Sequence, residues 1–169
     1  MNTEIILNRS NIIYPRTMDG RTALGEENLS LTESVDGGVA SARTKPRYVV
    51  MLATGDSDSG KRATLAFATA CVAMSMELDT QVFLIGDGSH WAYEGCCEPV
   101  VHTGFPALKE LVESFMEMGG KIYICSACDQ ACTIEMAADG RFKRRRAGIE
   151  PRGLAAVLDH TVGGTTVTF

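Results

Sequence analysis

Residues 121–132 read KIYICSACDQAC and join a buried strand to a helix. The first four residues are mostly β-branched or aromatic, which predicts a short strand. The residues after Asp129 are good helix formers and predict that a helix begins near that position. Cys125 is therefore expected at the carboxyl end of a strand, facing a helix start, which is where ligands bind in open α/β sheets. Helix N-terminal amides would stabilise a thiolate there.

Strands and helices are predicted to alternate on both sides of this stretch. Apolar runs predict strands near residues 48–53, 81–85, 121–125 and 165–169, with a further strand within residues 141–149. Helical stripes predict helices over residues 61–77 and 151–160, with Leu154, Val157 and Leu158 of the second helix facing inward. The pattern indicates an α/β fold, a three-layer sandwich with a mostly parallel sheet of about five strands.

The N-terminal part of the chain has a different character. Two short apolar pieces, residues 4–7 and 11–14, precede a polar segment that continues to Pro46. We expect an extended or partly disordered N-terminal arm over residues 1–46 and one α/β domain over residues 47–169. The apolar pieces suggest that the arm docks onto another subunit, and a plain tail is the alternative.

Composition disfavours several classes of function. The 169 residues include 16 basic and 21 acidic side chains, and the formal net charge of −5 argues against a nucleic-acid binder. No run approaches the length of a membrane span, and the N-terminus lacks the features of a secretory signal. We expect a cytoplasmic protein, in which cysteines serve as thiols, redox groups or metal ligands rather than as structural disulfides.

Residues 55–62, GDSDSGKR, nearly match the phosphate-binding loop G-x-x-x-x-G-K-[ST] and lie between a predicted strand and a predicted helix. Arg62 stands where the motif requires the hydroxyl group that binds Mg²⁺. We therefore interpret the stretch as a well-capped helix start, and nucleotide hydrolysis is the less favoured alternative.

A long loop over residues 89–104 carries further thiols and imidazoles near the strand ends. With the three cysteines after the central strand it offers ligands for a tetrahedral zinc or iron–sulfur site: Cys96, Cys97, His90 and His102. The spacing matches no standard zinc motif, so neither a metal nor another cofactor is expected. The adjacent cysteines are expected as two thiols, because neighbouring cysteines bond to each other only with strain.

A basic run over residues 141–146 follows the cysteines. It is either a solvated face of the protein or a surface that attracts an anionic partner or substrate toward the thiols.

Residues 48–169 resemble the DsrE/DsrF-like family of sulfur-relay proteins. The matching features are a strand followed by ATGDSDSGKRATLAFATACVAM, the strand QVFLIGDG, the segment KELVESFMEMGGKIYICSAC, and the close GLAAVLDHTVGGTTVTF. The resemblance implies a small α/β fold, assembly into trimers or hexamers, and a cysteine after the third strand that carries sulfur as a persulfide. Cys125 matches that cysteine, and Cys128 matches the second cysteine of members with C-x-x-C there. The N-terminal arm, Cys132 and the Cys96-Cys97 loop depart from the family pattern.

The expected function is a cysteine-persulfide sulfur carrier, or sulfurtransferase, that relays sulfane sulfur between partner proteins or small thiols. Cys125 and Cys128 are the expected catalytic residues, because the chemistry needs a nucleophilic thiolate and a neighbouring thiol. The accessory candidates are Cys132, Cys96, Cys97, His90 and His102. The alternative function is a non-catalytic module that uses the same cysteines to bind zinc or an iron–sulfur cluster, or to join subunits.

Overall fold

A computed structural model describes residues 5–7, 13–15, 45–138, 140 and 143–169. Contacts divide the chain into two units, residues 1–41 and 42–169. In the first unit, β1 (Ile5–Leu7) pairs antiparallel with β2 (Ile13–Pro15). Most of the predicted arm, residues 1–46, lies outside the described residues, so its extended character stays a prediction.

The second unit is built on a parallel sheet. Among the described residues its strands are β3 (Arg47–Leu52), β4 (Asp79–Leu84), β5 (Lys121–Cys125), β6 (Ile149–Arg152) and β7 (Thr165–Thr168). Their order across the sheet is β6-β5-β4-β3-β7, and every neighbouring pair is parallel. The helices are α1 (Lys61–Ser75), α2 (Leu108–Glu117), α3 (Ser126–Ala138) and α4 (Leu154–Thr161). The predicted α/β fold with a mostly parallel sheet is confirmed.

The two faces of the sheet bury different clusters of side chains, because successive residues of a strand point to opposite faces. One face carries Val50, Val82 and Ile124 into the main core against α1 and α2. The opposite face carries Val49, Phe83 and Cys125 into a smaller cluster with Val157 of α4. Helices therefore cover both faces of the sheet, and Cys125 belongs to the face that α4 covers.

Three local predictions were wrong. The helix after Cys125 begins at Ser126 rather than near Asp129, so no loop separates β5 from α3. Pro151 does not start a helix but lies in β6, an edge strand, where a residue without an N–H is tolerated.

The prediction that Leu154, Val157 and Leu158 all face inward was also wrong. Val157 is buried, but Leu154 and Leu158 are 52% and 63% exposed. The eight-residue helix α4 contacts the sheet along one narrow stripe, which leaves the neighbouring apolar side chains outside it.

Candidate functional site

Three connecting segments meet at the carboxyl edge of the parallel sheet. Residues 53–60 follow β3, the 3₁₀ segment Gly86–Ala92 follows β4, and α3 follows β5. Cys125 is the last residue of β5 and is 6% exposed. Because α3 begins at the next residue, the Cys125 sulfur lies at the N-terminus of a helix, as the sequence predicted.

Hydrogen bonds control the ionisation of the Cys125 thiol. Burial raises its pKa, and the opposing contributions come from the backbone N–H of Cys128, the thiol of Cys128 and the backbone N–H of Ala127. The hydrogen bonds outweigh burial, so the pKa of Cys125 lies below the ordinary thiol value. A lowered pKa makes a larger fraction of the thiol available as the nucleophilic thiolate near neutral pH.

Cys128 connects Cys125 to the segment after β4. The half-buried Cys128 sulfur accepts a hydrogen bond from the backbone N–H of Gly86 at 3.3 Å, and its own S–H donates toward Cys125. Cys125 and Cys128 are both thiols in the structure. The Gly86 amide therefore helps to hold the Cys128 sulfur in place beside Cys125.

Asp129 fixes the first turn of α3. Its carboxylate accepts hydrogen bonds from the Tyr93 hydroxyl at 2.8 Å and from Arg145 Nη1 at 2.7 Å. Tyr93 is buried, and burial together with the hydrogen bond to Asp129 raises the pKa of its hydroxyl. These contacts hold the turn that carries Ala127 and Cys128, and a rigid support of this kind keeps donors aimed at a reactive group.

The hydrogen bond from Cys128 predicts a measurable effect on Cys125. Replacing Cys128 by alanine removes the S–H donor, so the pKa of Cys125 should rise and its alkylation at neutral pH should slow about three- to tenfold. The rate of iodoacetamide modification against pH, resolved by peptide mass spectrometry, measures this pKa. Cys128→Ser is the matched variant, because its hydroxyl keeps a donor. An unchanged profile in Cys128→Ala would show that the Cys128 thiol does not stabilise the thiolate.

The predicted accessory residues lie at three separate places. Cys96 and Cys97 are buried thiols on the main-core side of the sheet, and His90 Nδ1 lies 3.9 Å from the Cys96 sulfur. His102 Nε2 lies 3.0 Å from the Ser59 carbonyl oxygen, close to the start of α1. Cys132 packs against the main core, whereas Cys128 packs against the smaller cluster that contains Cys125.

The structure therefore does not assemble the proposed metal-ligand set around Cys125. Within the part of the chain that the structure describes, no three side chains of His, Cys, Asp or Glu are arranged to hold a metal ion.

The phosphate-loop resemblance of residues 55–62 has a structural explanation. The two carboxylate oxygens of Asp58 accept hydrogen bonds from the backbone N–H groups of Gly60 at 3.1 Å and Arg62 at 3.0 Å. These are the amides at the start of α1 that would bind a phosphate. A side chain of the protein occupies the anion position, so the interpretation as a capped helix start agrees with the structure.

Sequence reasoning missed several residues that support the site. Gly86 and Tyr93 each donate a hydrogen bond to the first turn of α3, and Asp129 belongs to that turn. Lys143 donates a hydrogen bond to Cys96 at 3.2 Å. A usable signal existed for Gly86, because it follows a strand whose carboxyl end had to meet that of the strand ending at Cys125. Tyr93 and Lys143 find their partners only through the tertiary fold. Tyr93 is 36 positions from Asp129 in the sequence, and Lys143 is 47 positions from Cys96.

The described residues contain no candidate for a membrane-spanning helix. None of their helices combines the length and the apolar character that spanning a bilayer requires.

Comparisons with known proteins agree with the fold. Residues 47–167 match the model of the DsrE/DsrF-like family. An uncharacterized protein of Methanocaldococcus jannaschii is 35% identical over 85 residues, which are 50% of this chain and 31% of that protein. The match thus spans about a third of the length of that curated relative.

Two solved structures are also similar. The YchN protein of E. coli superposes with a TM-score of 0.54 at 16% identity, over 73% of this chain and 99% of that one. A conserved protein of unknown function from Bacteroides thetaiotaomicron gives a TM-score of 0.47 at 12% identity, over 73% and 95%. At 16% identity, the structural similarity to YchN shows a shared fold.

Proposed function

Because the chain belongs to the DsrE/DsrF-like family, we propose that it is a cysteine-persulfide sulfur carrier that transfers sulfane sulfur through Cys125. Membership of this family indicates sulfur relay in general. The observation that carries the finer proposal is the Cys125 thiol itself, almost buried at a strand end, with helix amides and the Cys128 thiol lowering its pKa. The partners are donor and acceptor proteins or low-molecular-weight thiols in the cytoplasm, where thiols stay reduced.

The proposed reaction consists of two exchanges of sulfur–sulfur bonds. The Cys125 thiolate attacks the outer sulfur of a donor persulfide R–S–SH, a bond forms between the two sulfurs, and the donor S–S bond breaks. The proton of the transferred sulfur passes to the leaving R–S⁻, which departs as R–SH. Cys125 is then a persulfide anion. An acceptor thiol then gives its proton to the persulfide anion, and the resulting acceptor thiolate attacks the outer sulfur, which leaves the acceptor as a persulfide and restores the Cys125 thiolate. Neither step needs an oxidant or a reductant.

In this proposal Cys128 has a supporting role in both steps. Its S–H and backbone N–H stabilise negative charge on the Cys125 sulfur before loading and after release. Cys128 is also the nearest candidate for a second thiol that takes over the sulfane sulfur. The half-buried surroundings of the pair, which include Met51, Ile85 and Tyr123, limit access by stray thiols and oxidants.

Mass and metal analysis test the proposal directly. Protein purified without oxygen and incubated with a persulfide donor should gain about 32 Da, the mass of one sulfur atom, or a multiple of it. A thiol reductant should remove the added mass. Stoichiometric zinc or iron in the purified protein, with no sulfane adduct after incubation, would instead favour a metal-binding module.

We also propose that the protein forms a homo-oligomer, most simply a trimer or hexamer. Its apolar surface supports this, because Leu154, Leu158 and Val162 at α4 are 52%, 63% and 72% exposed in the single chain. Light scattering at micromolar concentration should give a multiple of the 18.2 kDa chain mass. Leu158→Glu should shift the mass toward the monomer if α4 lies in the interface.

A truncated chain tests the N-terminal arm separately. Deletion of residues 1–45 should weaken assembly if the arm docks onto a neighbouring subunit. If the arm is a tail, the deletion should leave the number of chains in the oligomer unchanged. A monomeric full-length chain would contradict the oligomer proposal itself.

A further inference from the structure

Three reactive side chains meet on the main-core side of the sheet, away from the cluster that holds Cys125. The Cys96 sulfur lies 3.9 Å from His90 Nδ1 and accepts a hydrogen bond from Lys143 Nζ at 3.2 Å. We call these three residues the Cys96 cluster. Cys96 is 4% exposed, so its side chain is largely shielded from solvent. A thiol between an imidazole and an ammonium group has the surroundings of a nucleophile rather than of a packing residue.

His90 is suited to accept a proton. Burial lowers its pKa most strongly, Asp56 acts in the opposite direction, and Lys143 lowers it further, so the net pKa lies below the ordinary value. A neutral imidazole at neutral pH is the form that acts as a base. The ring packs edge-on against Trp91 at 4.9 Å, and the Trp91 indole N–H donates to the Thr54 carbonyl at 2.8 Å. These contacts hold the imidazole beside the thiol.

The cations beside Cys96 only partly offset the effect of burial on its thiol. Burial raises the pKa of Cys96 and Glu98 raises it further, while Lys143 and Arg146 lower it. The net effect is a thiol that is protonated at rest. Its neighbour Cys97 differs, because it is fully buried, donates to the Trp91 carbonyl at 3.5 Å and has a pKa raised to about 12. Of the adjacent pair, Cys96 is the one whose sulfur lies beside both an imidazole and an ammonium group.

A basic cleft of about 410 Å³ adjoins the cluster through Lys143. Its lining comprises Tyr93, Asp129, Thr133 and residues 143–149, and thus four cationic side chains against one carboxylate. Arg144, Arg145 and Arg146 are paired with Glu94, Asp129 and Glu98, respectively. Lys143 is thus left without a carboxylate partner among the described residues, and an ammonium group of this kind at a cleft fits an anionic ligand.

We infer that Cys96 is a second sulfur-accepting thiol, which takes sulfane sulfur from a low-molecular-weight persulfide whose carbon skeleton bears carboxylates. The carboxylates bind in the basic cleft and the persulfide reaches Cys96. His90 takes the Cys96 proton, and the thiolate attacks the outer sulfur of R–S–SH while Lys143 stabilises the charge. The donor S–S bond breaks, and R–S⁻ leaves with the proton from His90. Cys96–SH and R–S–SH thus become Cys96–S–SH and R–SH.

A pair of alkylating reagents tests the cluster without a persulfide donor. Iodoacetate and iodoacetamide are nearly equal in size, but only the first is an anion. With peptide mass spectrometry following Cys96, Lys143→Gln should lower the iodoacetate rate about tenfold and the iodoacetamide rate less. His90→Gln should lower both rates. Lys121→Gln, which removes the same charge at the amino end of β5, should change neither.

Loading with glutathione persulfide, a carboxylate-bearing donor, tests the reaction. The peptide that contains Cys96 should gain about 32 Da in the wild-type protein and in Cys125→Ser alike, and lose the gain in Cys96→Ser. Retention in Cys125→Ser makes the test independent of the function proposed for Cys125. The inference would be overturned if the Cys96 peptide of the wild-type protein gained no mass. So would equal iodoacetate rates in Lys143→Gln and Lys121→Gln.

Discussion

Cys125→Ser should abolish sulfur loading at the site between β5 and α3 and leave the protein folded. A serine hydroxyl is no nucleophile toward sulfane sulfur and forms no persulfide, so transfer through this site falls to background. The fold should survive, because the hydroxyl accepts the same hydrogen bonds from the Ala127 and Cys128 amides, and the expected loss of stability is about 1 kcal/mol. Circular dichroism and urea unfolding check the fold, and single-turnover transfer checks the activity.

Two variants control this experiment. Cys71→Ser replaces a half-buried thiol on α1 that is hydrogen-bonded to the Leu111 carbonyl and whose pKa is raised by burial, so it should leave loading unchanged. Cys128→Ser should slow transfer without abolishing it, since it leaves Cys125 in place. If Cys125→Ser loads this site at the wild-type rate, the assignment is wrong, and Cys128 becomes the leading candidate there.

Gly88→Ala should be the most destabilising single-methyl substitution near the site. A Cβ at Gly88 would overlap the carbonyl group of Leu52 at the end of β3. It would lie 2.7 Å from the Leu52 carbonyl carbon. The backbone N–H of Gly88 also donates to the Ala53 carbonyl at 3.1 Å, so the segment cannot move away without losing that bond. Overpacking against backbone costs about 3 kcal/mol, which lowers the melting temperature on the order of 10 °C for a domain of this size.

The same substitution should reduce the reactivity of Cys125. Any displacement of Gly86–Ala92 moves the Gly86 amide away from Cys128 and loosens the support of the Cys125 thiolate. Gly153→Ala is the matched control, because a Cβ there meets no atom within 4 Å and its φ of −75° suits alanine. A Gly88→Ala protein as stable as Gly153→Ala would show that the segment after β4 is not held tightly against β3.

The sequence was most informative where one physical pattern governs structure. The apolar runs around Val50, Val82 and Ile124 predicted the central strands, because strands covered on both faces have no polar alternation. Cys125 was placed correctly since it directly follows such a run. The start of α3 was misjudged, because the helix former Ala127 stands between Ser126 and Cys128, which are weaker helix formers, and packing against the sheet decides.

The arrangement of the remaining cysteines could not be read from the sequence. Cys128 and Cys132 are one helical turn apart, and spacing alone leaves them on a shared face. The structure instead packs Cys132 against the main core and Cys128 beside Cys125, because α3 sits at the edge of the sheet where both clusters end. Likewise, Lys143 finds Cys96 only through the fold, since a basic run in a sequence carries no information on its partners.

The most direct measurement is the position of the sulfane sulfur in the loaded wild-type protein. After anaerobic incubation with a persulfide donor and trapping of remaining thiols, fragmentation of the peptide that spans Cys125 and Cys128 locates the added sulfur. We predict an added mass of about 32 Da on Cys125 in most of the protein, and its disappearance when an acceptor thiol is added. A Cys125 that is trapped as an unmodified thiol, in protein that carries sulfur elsewhere, would contradict the account.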